Sequence, residues 1–347
     1  MTALAREAPE RERRAHRACS ARGPRNVAAV LLWASVVGLT GPVFAFDLEG
    51  HRGTRGLAPE NTLASFRRAL ELGVTTLETD LAVTRDGVLV ISHDPHLNPD
   101  LVRGADGRWL SGRGPAIHSL MLDELRAYDI GRTDPASKYG RQFPEQVPAD
   151  GARFPTLKEV LALGQGNGVR FALETKITPT GDGDTPDPAT FARLVVDVVR
   201  DAGMAARVDV LSFDWRTLLE VKKLAPEIGT VCITQVTGNF DNVKGLFGRP
   251  SAWTAGLDLS RHDDSVPKLV RAAGCSTWSS AFRNLTPASI AEGRALGLKV
   301  LPWTVNDPAD MARLIDWGVD GLITDYPDRA RKVMADKGIA LPPPVTK

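Results

Sequence analysis

Cysteine is scarce: the chain has three in 347 residues, too few for a disulfide scaffold. An excess of either charge is also missing. Forty-three Lys and Arg face 42 Asp and Glu, a net of +1, so no basic surplus points to nucleic acid. No internal repeat or low-complexity tract stands out, which argues against a solenoid. HExxH, zinc-type Cys/His spacing and a Walker A sequence are all absent. Gly164, Gly166 and Gly168 precede a strand pattern rather than open a helix, so they read as a turn and not as a dinucleotide fingerprint. What remains is ordinary globular material, 43% apolar and 24% charged, which excludes general disorder. The length suits two average domains or one α/β barrel of about 250 residues with additions.

Charge is unevenly placed. Residues 1–45 hold seven arginines, no lysine and three glutamates, a net of +4, which leaves the body at −3. The Arg-rich start runs into the uncharged apolar run Val27–Thr40, and Val43-Phe44-Ala45 suits a cut near Ala45. This reads as a secretory signal. The rival is an uncleaved anchor, because Val27 to Phe46 gives 20 uncharged residues, just enough to span a bilayer. Gly41-Pro42 breaks the helix before the cut and favours cleavage. Either way the body is expected outside the cytoplasm, periplasmic or extracellular, with membrane contact only through an uncleaved N-terminal segment.

From residue 46 on, β-branched runs alternate with amphipathic stretches such as NTLASFRRALELG and PADMARLIDWG. The predicted strands are Phe46–His51, Thr75–Val83, Val88–His93, Arg170–Lys176, Val208–Phe213, Gly229–Val236, Cys275–Ser280, Leu298–Val305 and Gly321–Thr324. Asp86-Gly87 marks a hairpin. A two-residue loop there pairs Leu81 with Ser92 and Asp80 with His93, so Val88–His93 is a return arm. Eight strand–helix units then remain, the pattern of a (β/α)8 TIM barrel over residues 46–335. Residues 95–153 are rich in Gly, Pro and Arg and read as an insertion over one end of the barrel. Trp109 within it is a candidate lipid contact. Residues 336–347 form a tail. Cys232 and Cys275 lie in apolar runs and are expected as buried free thiols, with a disulfide as the alternative.

Barrel chemistry sits at the C-terminal ends of the strands. There the sequence puts His51-Arg52-Gly53, Glu78-Thr79-Asp80, His93-Asp94, Glu174-Thr175-Lys176, Trp303-Thr304-Val305-Asn306 and Thr324-Asp325. Residues two apart on a strand share a face, so Glu78 goes with Asp80, and Glu174 with Lys176. Three converging carboxylates repel at low dielectric, and a hard divalent cation such as Mg²⁺ or Ca²⁺ relieves that. Glu49 falls on the face of His51 and could join the site. Asp94 is expected to cap or orient. His96, His118 and His262 read as structural or surface residues, and Asp325 as a helix start.

The stretches HRGTRGLAPENTLASF from His51, LETDLAVTRDGVLVISHDP from Leu77, Glu174-Thr175-Lys176, WTVN from Trp303 and GLITDYP from Gly321 resemble the glycerophosphodiester phosphodiesterase family. The resemblance spans about residues 46–333. It implies divalent-metal-dependent hydrolysis of glycerophosphodiesters to glycerol 3-phosphate and an alcohol. By position it implies Glu78, Asp80 and Glu174 as metal ligands and His51 and His93 as acid and base in either order. It further implies Arg52 and Lys176 as phosphate contacts and Trp303 as a pocket wall. Rival readings are a lysophospholipid phosphodiesterase of the same barrel type, a phosphodiesterase of wider alcohol range and a non-catalytic glycerophosphodiester binder. The intact histidine pair counts against the binder.

Overall fold

The computed structural model describes residues 46–346 apart from Asp182, Gly238, Asn239 and Gly248. The predicted signal or anchor, residues 1–45, lies outside the described residues. Among the described residues no helix is long and apolar enough to cross a membrane.

In chain order the strands are β1 (Asp47–Gly50), β2 (Thr76–Val83), β3 (Leu89–Ile91), β4 (Arg170–Thr175), β5 (Val208–Ser212), β6 (Gly229–Thr234), β7 (Val236–Thr237), β8 (Phe240–Asp241), β9 (Thr277–Ala281), β10 (Lys299–Trp303) and β11 (Gly321–Thr324). The helices are α1 (Leu63–Leu72), α2 (Leu122–Leu125), α3 (Leu157–Ala162), α4 (Pro188–Asp201), α5 (Trp215–Leu224), α6 (Val266–Ala273), α7 (Pro287–Ala295), α8 (Pro308–Asp316) and α9 (Pro327–Asp336). Eight strands pair in parallel in the order β10-β9-β6-β5-β4-β2-β1-β11. The two ends of this path meet where Asp320 N–H donates to Val300 O (3.0 Å) and Val305 N–H to Ile323 O (2.9 Å). The result is the expected (β/α)8 barrel. Strands of such a sheet are covered on both faces and read as continuous apolar runs, which is why they were legible. The lumen is filled by Ala172, Leu211, Val231 and Ile233, with Phe213 and Trp303 above them.

Local chemistry sets the helix ends. Thr62 caps α1 by accepting from Ser65 N–H, and Gly73 ends it in the left-handed region at φ +80°. Asp187 caps α4 ahead of Pro188, and Asp307 caps α8 ahead of Pro308. On α4, Phe191, Ala192, Val195, Val196 and Val199 make the buried stripe that packs the helix on the barrel.

Two expectations need correction. The hairpin exists, but its loop has three residues. Thr84 N–H donates to Val88 O and Gly87 N–H to Thr84 O (both 3.0 Å), with Gly87 at φ +77°. A turn followed by a left-handed glycine adds one residue to the two-residue form. Leu81 therefore pairs with Ile91 rather than Ser92, and Ser92 N–H donates to Asp80 O (3.0 Å). The second correction concerns the cysteines. Cys232 and Cys275 are joined in a disulfide, Cα–Cα 5.9 Å. Both sit in the layer between sheet and helices, on neighbouring strand paths (Cys232 lies opposite Trp278 across β6 and β9). Burial in an apolar run says nothing about whether two thiols face each other. The link spans 43 residues, and its removal by alanine at both positions is expected to cost about 2–4 kcal/mol in denaturant unfolding. Without residues 1–45, thiol titration before reduction should find none; reactive Cys232 and Cys275 would overturn the link.

Between β3 and α3 the chain builds a second small core from Leu97, Val102, Ile117, Leu125, Ile130 and Phe154, seated on Ala82 and Val90 of the hairpin. Arg103 ties this segment together through Asp129 (2.7 Å) and Asp150 (2.5 Å). Trp109 lies half-buried against the Arg103 guanidinium, 5.5 Å from carbon to ring centre, a packing role that uses the ring within the insertion.

Candidate active site

Strand ends bring the predicted groups together. Asp80 and Glu174 are register partners on adjacent β2 and β4, and Glu78 lies two residues before Asp80 on the same face. One carboxylate oxygen from each of the three lies within 4.8 Å of the others, and all three residues are buried. Asp80 Oδ2 accepts from Asn61 Nδ2 (2.9 Å), while its buried Oδ1 has no hydrogen-bond partner; Lys176 Nζ stands 3.6 Å away. Lys176 donates to Glu174 Oε1 at 2.7 Å.

Arg52 follows β1 in the left-handed region, φ +50°. That turn aims its backbone N–H at Glu78 Oε2 (2.8 Å) and its guanidinium at Glu60 Oε1 (2.8 Å). Its Nε pairs with Asp80 Oδ2 at 3.2 Å without hydrogen-bond alignment. Gly53 is required here, because at φ +85° a Cβ would strike Ser65 at 2.5 Å.

The charges do not balance. Glu60, Glu78, Asp80 and Glu174 carry four negative charges when ionised; Arg52 and Lys176 supply two positive ones. Glu78 is the least compensated. Burial pushes its pKa well above the usual carboxyl range, and Asp80 and Glu174 add to that. Burial opposes charge on Asp80 too, but Arg52 and Lys176 outweigh it and hold its pKa well below the usual range. An all-oxygen donor set, a buried carboxylate oxygen with no hydrogen bond among the described residues and a surplus of two negative charges fit one hard divalent cation.

His51 begins where β1 ends, its N–H on Thr324 O (2.9 Å). Its Nδ1 pairs with Asp325 Oδ1 at 2.7 Å, and Nε2 faces Glu78 Oε2 at 4.0 Å. Asp325 is fixed in turn by Arg55, through Nε (2.8 Å) and Nη2 (3.0 Å), and by Asn306 Nδ2 (2.6 Å). An acceptor at Nδ1 puts the ring proton there and leaves Nε2 with a free lone pair. Burial, then Arg55, lower the His51 pKa to about 4, against the pull of Asp325. His93 lies just past β3, a third exposed, with Nδ1 on Asp94 Oδ1 (2.9 Å). Asn98 holds the other Asp94 oxygen (2.7 Å). Burial opposes charge on Asp94, but His93 and Asn98 outweigh it and bring its pKa to about 2. Trp303 ends β10, its ring edge-to-face with Phe213 at 5.5 Å. Lys176 Nζ lies 5.8 Å from the same Phe213 ring.

Glu49 is buried beside the group rather than in it; burial, then Asp47 and Glu78, raise its pKa. His118 bonds Val83 O at 3.1 Å, and His96 lies between Arg113 (2.7 Å) and Asp184 (3.4 Å), structural positions as expected. Three residues of the site were not singled out from the sequence. Arg55, Glu60 and Asn61 lie in the quoted stretch after His51, too close in sequence to be separated from α1 capping chemistry. Asp325, named among the strand-end groups with a helix start as its other reading, backs His51 and Arg55.

The sequence profile of the "Glycerophosphoryl diester phosphodiesterase family" matches residues 51–329. The chain belongs to that family. A glycerophosphodiester phosphodiesterase of Caldanaerobacter subterraneus subsp. tengcongensis is 29% identical over 278 residues, 80% of this chain and 93% of that one. A crystal structure from Silicibacter pomeroyi, assigned as a glycerophosphoryl diester phosphodiesterase, is 36% identical with a TM-score of 0.76, covering 86% of this chain and 96% of its own. An Oleispira antarctica phosphodiesterase, solved in complex with the product sn-glycerol-3-phosphate, is 25% identical with a TM-score of 0.60 over 83% of this chain and 96% of its own. The chain is thus an enzyme, a phosphodiester hydrolase of this family.

Proposed function

We propose that the enzyme hydrolyses glycerophosphodiesters, such as glycerophosphocholine or glycerophosphoethanolamine, to sn-glycerol 3-phosphate and the free alcohol. The observation that carries this is the buried group of Glu78, Asp80 and Glu174 flanked by the Arg52 guanidinium and by His51 Nε2. The three carboxylates would hold one Mg²⁺ or Ca²⁺, which when bound supplies charge neutralisation at the phosphoryl oxygens. Arg52 offers a planar fork to two phosphate oxygens and Lys176 a second positive charge. His51 Nε2, neutral at working pH, takes the proton of the attacking hydroxyl as its oxygen bonds phosphorus; that hydroxyl is water's, or the glycerol 2-hydroxyl with water then opening the resulting cyclic phosphate. The bond from phosphorus to the alcohol oxygen breaks, and His93, backed by Asp94, gives that oxygen its proton.

A second reading, hydrolysis of lysophospholipids, draws on one feature. Trp303, Phe213, Phe240 and Trp253 form a run of edge-to-face rings at 5.5, 5.6 and 5.3 Å, and Leu246 and Phe247, between Phe240 and Trp253 in the chain, are exposed. Such a wall suits the acyl chain of a lysophospholipid. We also propose that the body, residues 46–335, is exported, by the Arg-rich start and apolar run of residues 1–45; the disulfide suits an oxidising compartment. The test is a coupled choline-release assay on the chain without residues 1–45, with glycerophosphocholine and lysophosphatidylcholine in parallel; the second product is sn-glycerol 3-phosphate from the first and lysophosphatidic acid from the second. Release from the first is expected. Release from the second alone would replace the first reading with the second, and a folded protein inert to both would overturn the two together.

A further inference from the structure

One polar side chain from the insertion reaches the phosphate side of the site. Tyr139 lies 79 residues from Glu60 and 84 from Arg55, yet its hydroxyl donates to Glu60 Oε2 and accepts from Arg55 Nη1 (3.2 Å). Glu60 holds the Arg52 guanidinium with its other oxygen (2.8 Å). Arg55 holds Asp325, which holds His51. One hydroxyl thus joins the two counter-ion systems that fix the working groups of the β1–α1 loop. The contact is not isolated. The Arg55 guanidinium lies 4.8 Å from the centre of the buried Phe143 ring, which meets the Tyr139 ring edge-on at 5.3 Å. Gln146 Nε2 donates to Arg55 O (2.5 Å), and Val147 N–H to Leu57 O (2.9 Å).

We infer that Tyr139 is a positioning residue for phosphate binding, acting through Glu60 on Arg52, and that the segment from Tyr139 to Val147 is the clamp by which the insertion sets the β1–α1 loop. A phenol donating to a carboxylate is a charge-assisted bond. It fixes the Glu60 carboxyl plane, and a guanidinium fork follows the plane of the carboxylate it pairs with. Without the hydroxyl, Glu60 can turn and Arg52 can swing toward Asp80, 3.2 Å away. The phosphate then meets a misplaced fork. His51 keeps its own support, since Arg55 still grips Asp325 with two nitrogens. The effect should therefore fall on binding and spare the chemical step. This rests on the reading of Arg52 as the phosphate contact.

The experiment is Tyr139→Phe, which keeps the ring against Phe143. KM for glycerophosphocholine should rise about tenfold, as for a lost hydrogen bond to a charged group. The inhibition constant of sn-glycerol 3-phosphate should rise in parallel, with kcat changing much less. Glu60→Gln should give the same pattern, and the double variant should lose little beyond the larger single loss. A Tyr139→Phe enzyme with wild-type KM and inhibition constant, even one less heat-stable, would make Tyr139 a structural stitch and overturn the inference. So would full additivity with Glu60→Gln. Should Tyr139→Phe not fold, Glu60→Gln alone decides by the same two constants. An inactive wild-type enzyme in the same assay would instead strike at the glycerophosphodiester reading itself.

Discussion

Alanine at His51 is expected to lower kcat by roughly 10²–10⁴-fold while the protein still folds. The expectation follows from what the ring does in the structure. Its Nδ1 is spent on Asp325 at 2.7 Å, so the only basic atom it can offer a substrate is Nε2, 4.0 Å from Glu78. No neighbouring group can take over, because Arg55 and Arg52 stay protonated and Glu78 faces the other carboxylates. Folding does not depend on the ring in the same way, since the backbone N–H of residue 51 makes its own bond to Thr324 O. The pH dependence provides a second reading of the same role. Burial and then Arg55 hold the His51 pKa near 4, so the imidazole stays neutral well below its ordinary 6.5. A cation bound beside Glu78 would push in the same direction. Activity that needs this neutral base should therefore persist on the acid side below pH 6.5 and fall only as pH approaches the lowered value. His93→Ala should cost a comparable factor, since it removes the proton for the leaving alcohol. A folded His51→Ala enzyme within about tenfold of wild type, or a wild-type acid limb at or above pH 6.5, would remove the base from His51.

Much of this site was legible because barrel strands announce themselves and their ends are where polar residues interrupt apolar runs. His51, Glu78, Asp80, Glu174, Lys176 and Trp303 all stand at such interruptions, and the structure brings them to one mouth. The hairpin was legible from Asp86-Gly87, but its register was not. A two-residue and a three-residue loop differ only in where the left-handed glycine sits, and that single residue moved Ser92 opposite Asp80. The disulfide was not legible, because an apolar run gives burial and not facing. Asp325 carried two readings for a related reason: an acid before Tyr-Pro at a helix start and an acid behind a histidine look alike until the first and last strands are seen to pair. Tyr139 lay out of reach altogether. It sits in irregular chain without periodicity, and only the fold of the insertion onto the β1–α1 loop gives it a partner.

Chelation of divalent ions should abolish turnover, and Glu78→Gln should do the same while making the metal-free protein more stable. The opposite signs come from one arrangement. Asp80 is compensated by Arg52 at 3.2 Å and Lys176 at 3.6 Å, and Glu174 by Lys176 at 2.7 Å. Glu78 is offset less, by the Arg52 backbone N–H at 2.8 Å and by the Arg52 charge at longer range. It is a buried carboxyl facing two others, so its pKa in the fold lies above its unfolded value, by burial first and then by Asp80 and Glu174. A raised carboxyl pKa means that the native state binds more protons than the unfolded one. The Glu78 contribution to the stability of the metal-free enzyme is therefore fully present below about pH 4.5 and is lost as pH rises through the raised value. Mg²⁺ or Ca²⁺ should reverse that decline by binding the native state alone, and the gain in Tm should grow with ion concentration. Glutamine at position 78 removes the ionisable group, so both the pH-dependent decline and most of the ion-induced gain should vanish together. Catalysis loses the ligand at the same time; the several kcal/mol that a bound cation contributes at a phosphoryl group correspond to a fall of at least about 100-fold. The measurements are thermal melts of wild type and Glu78→Gln from pH 5 to 8, with EDTA or with each ion, beside the release assay. Turnover that survives EDTA, or a Glu78→Gln protein as responsive to the ions as wild type, would show that these three carboxylates do not hold a catalytic cation.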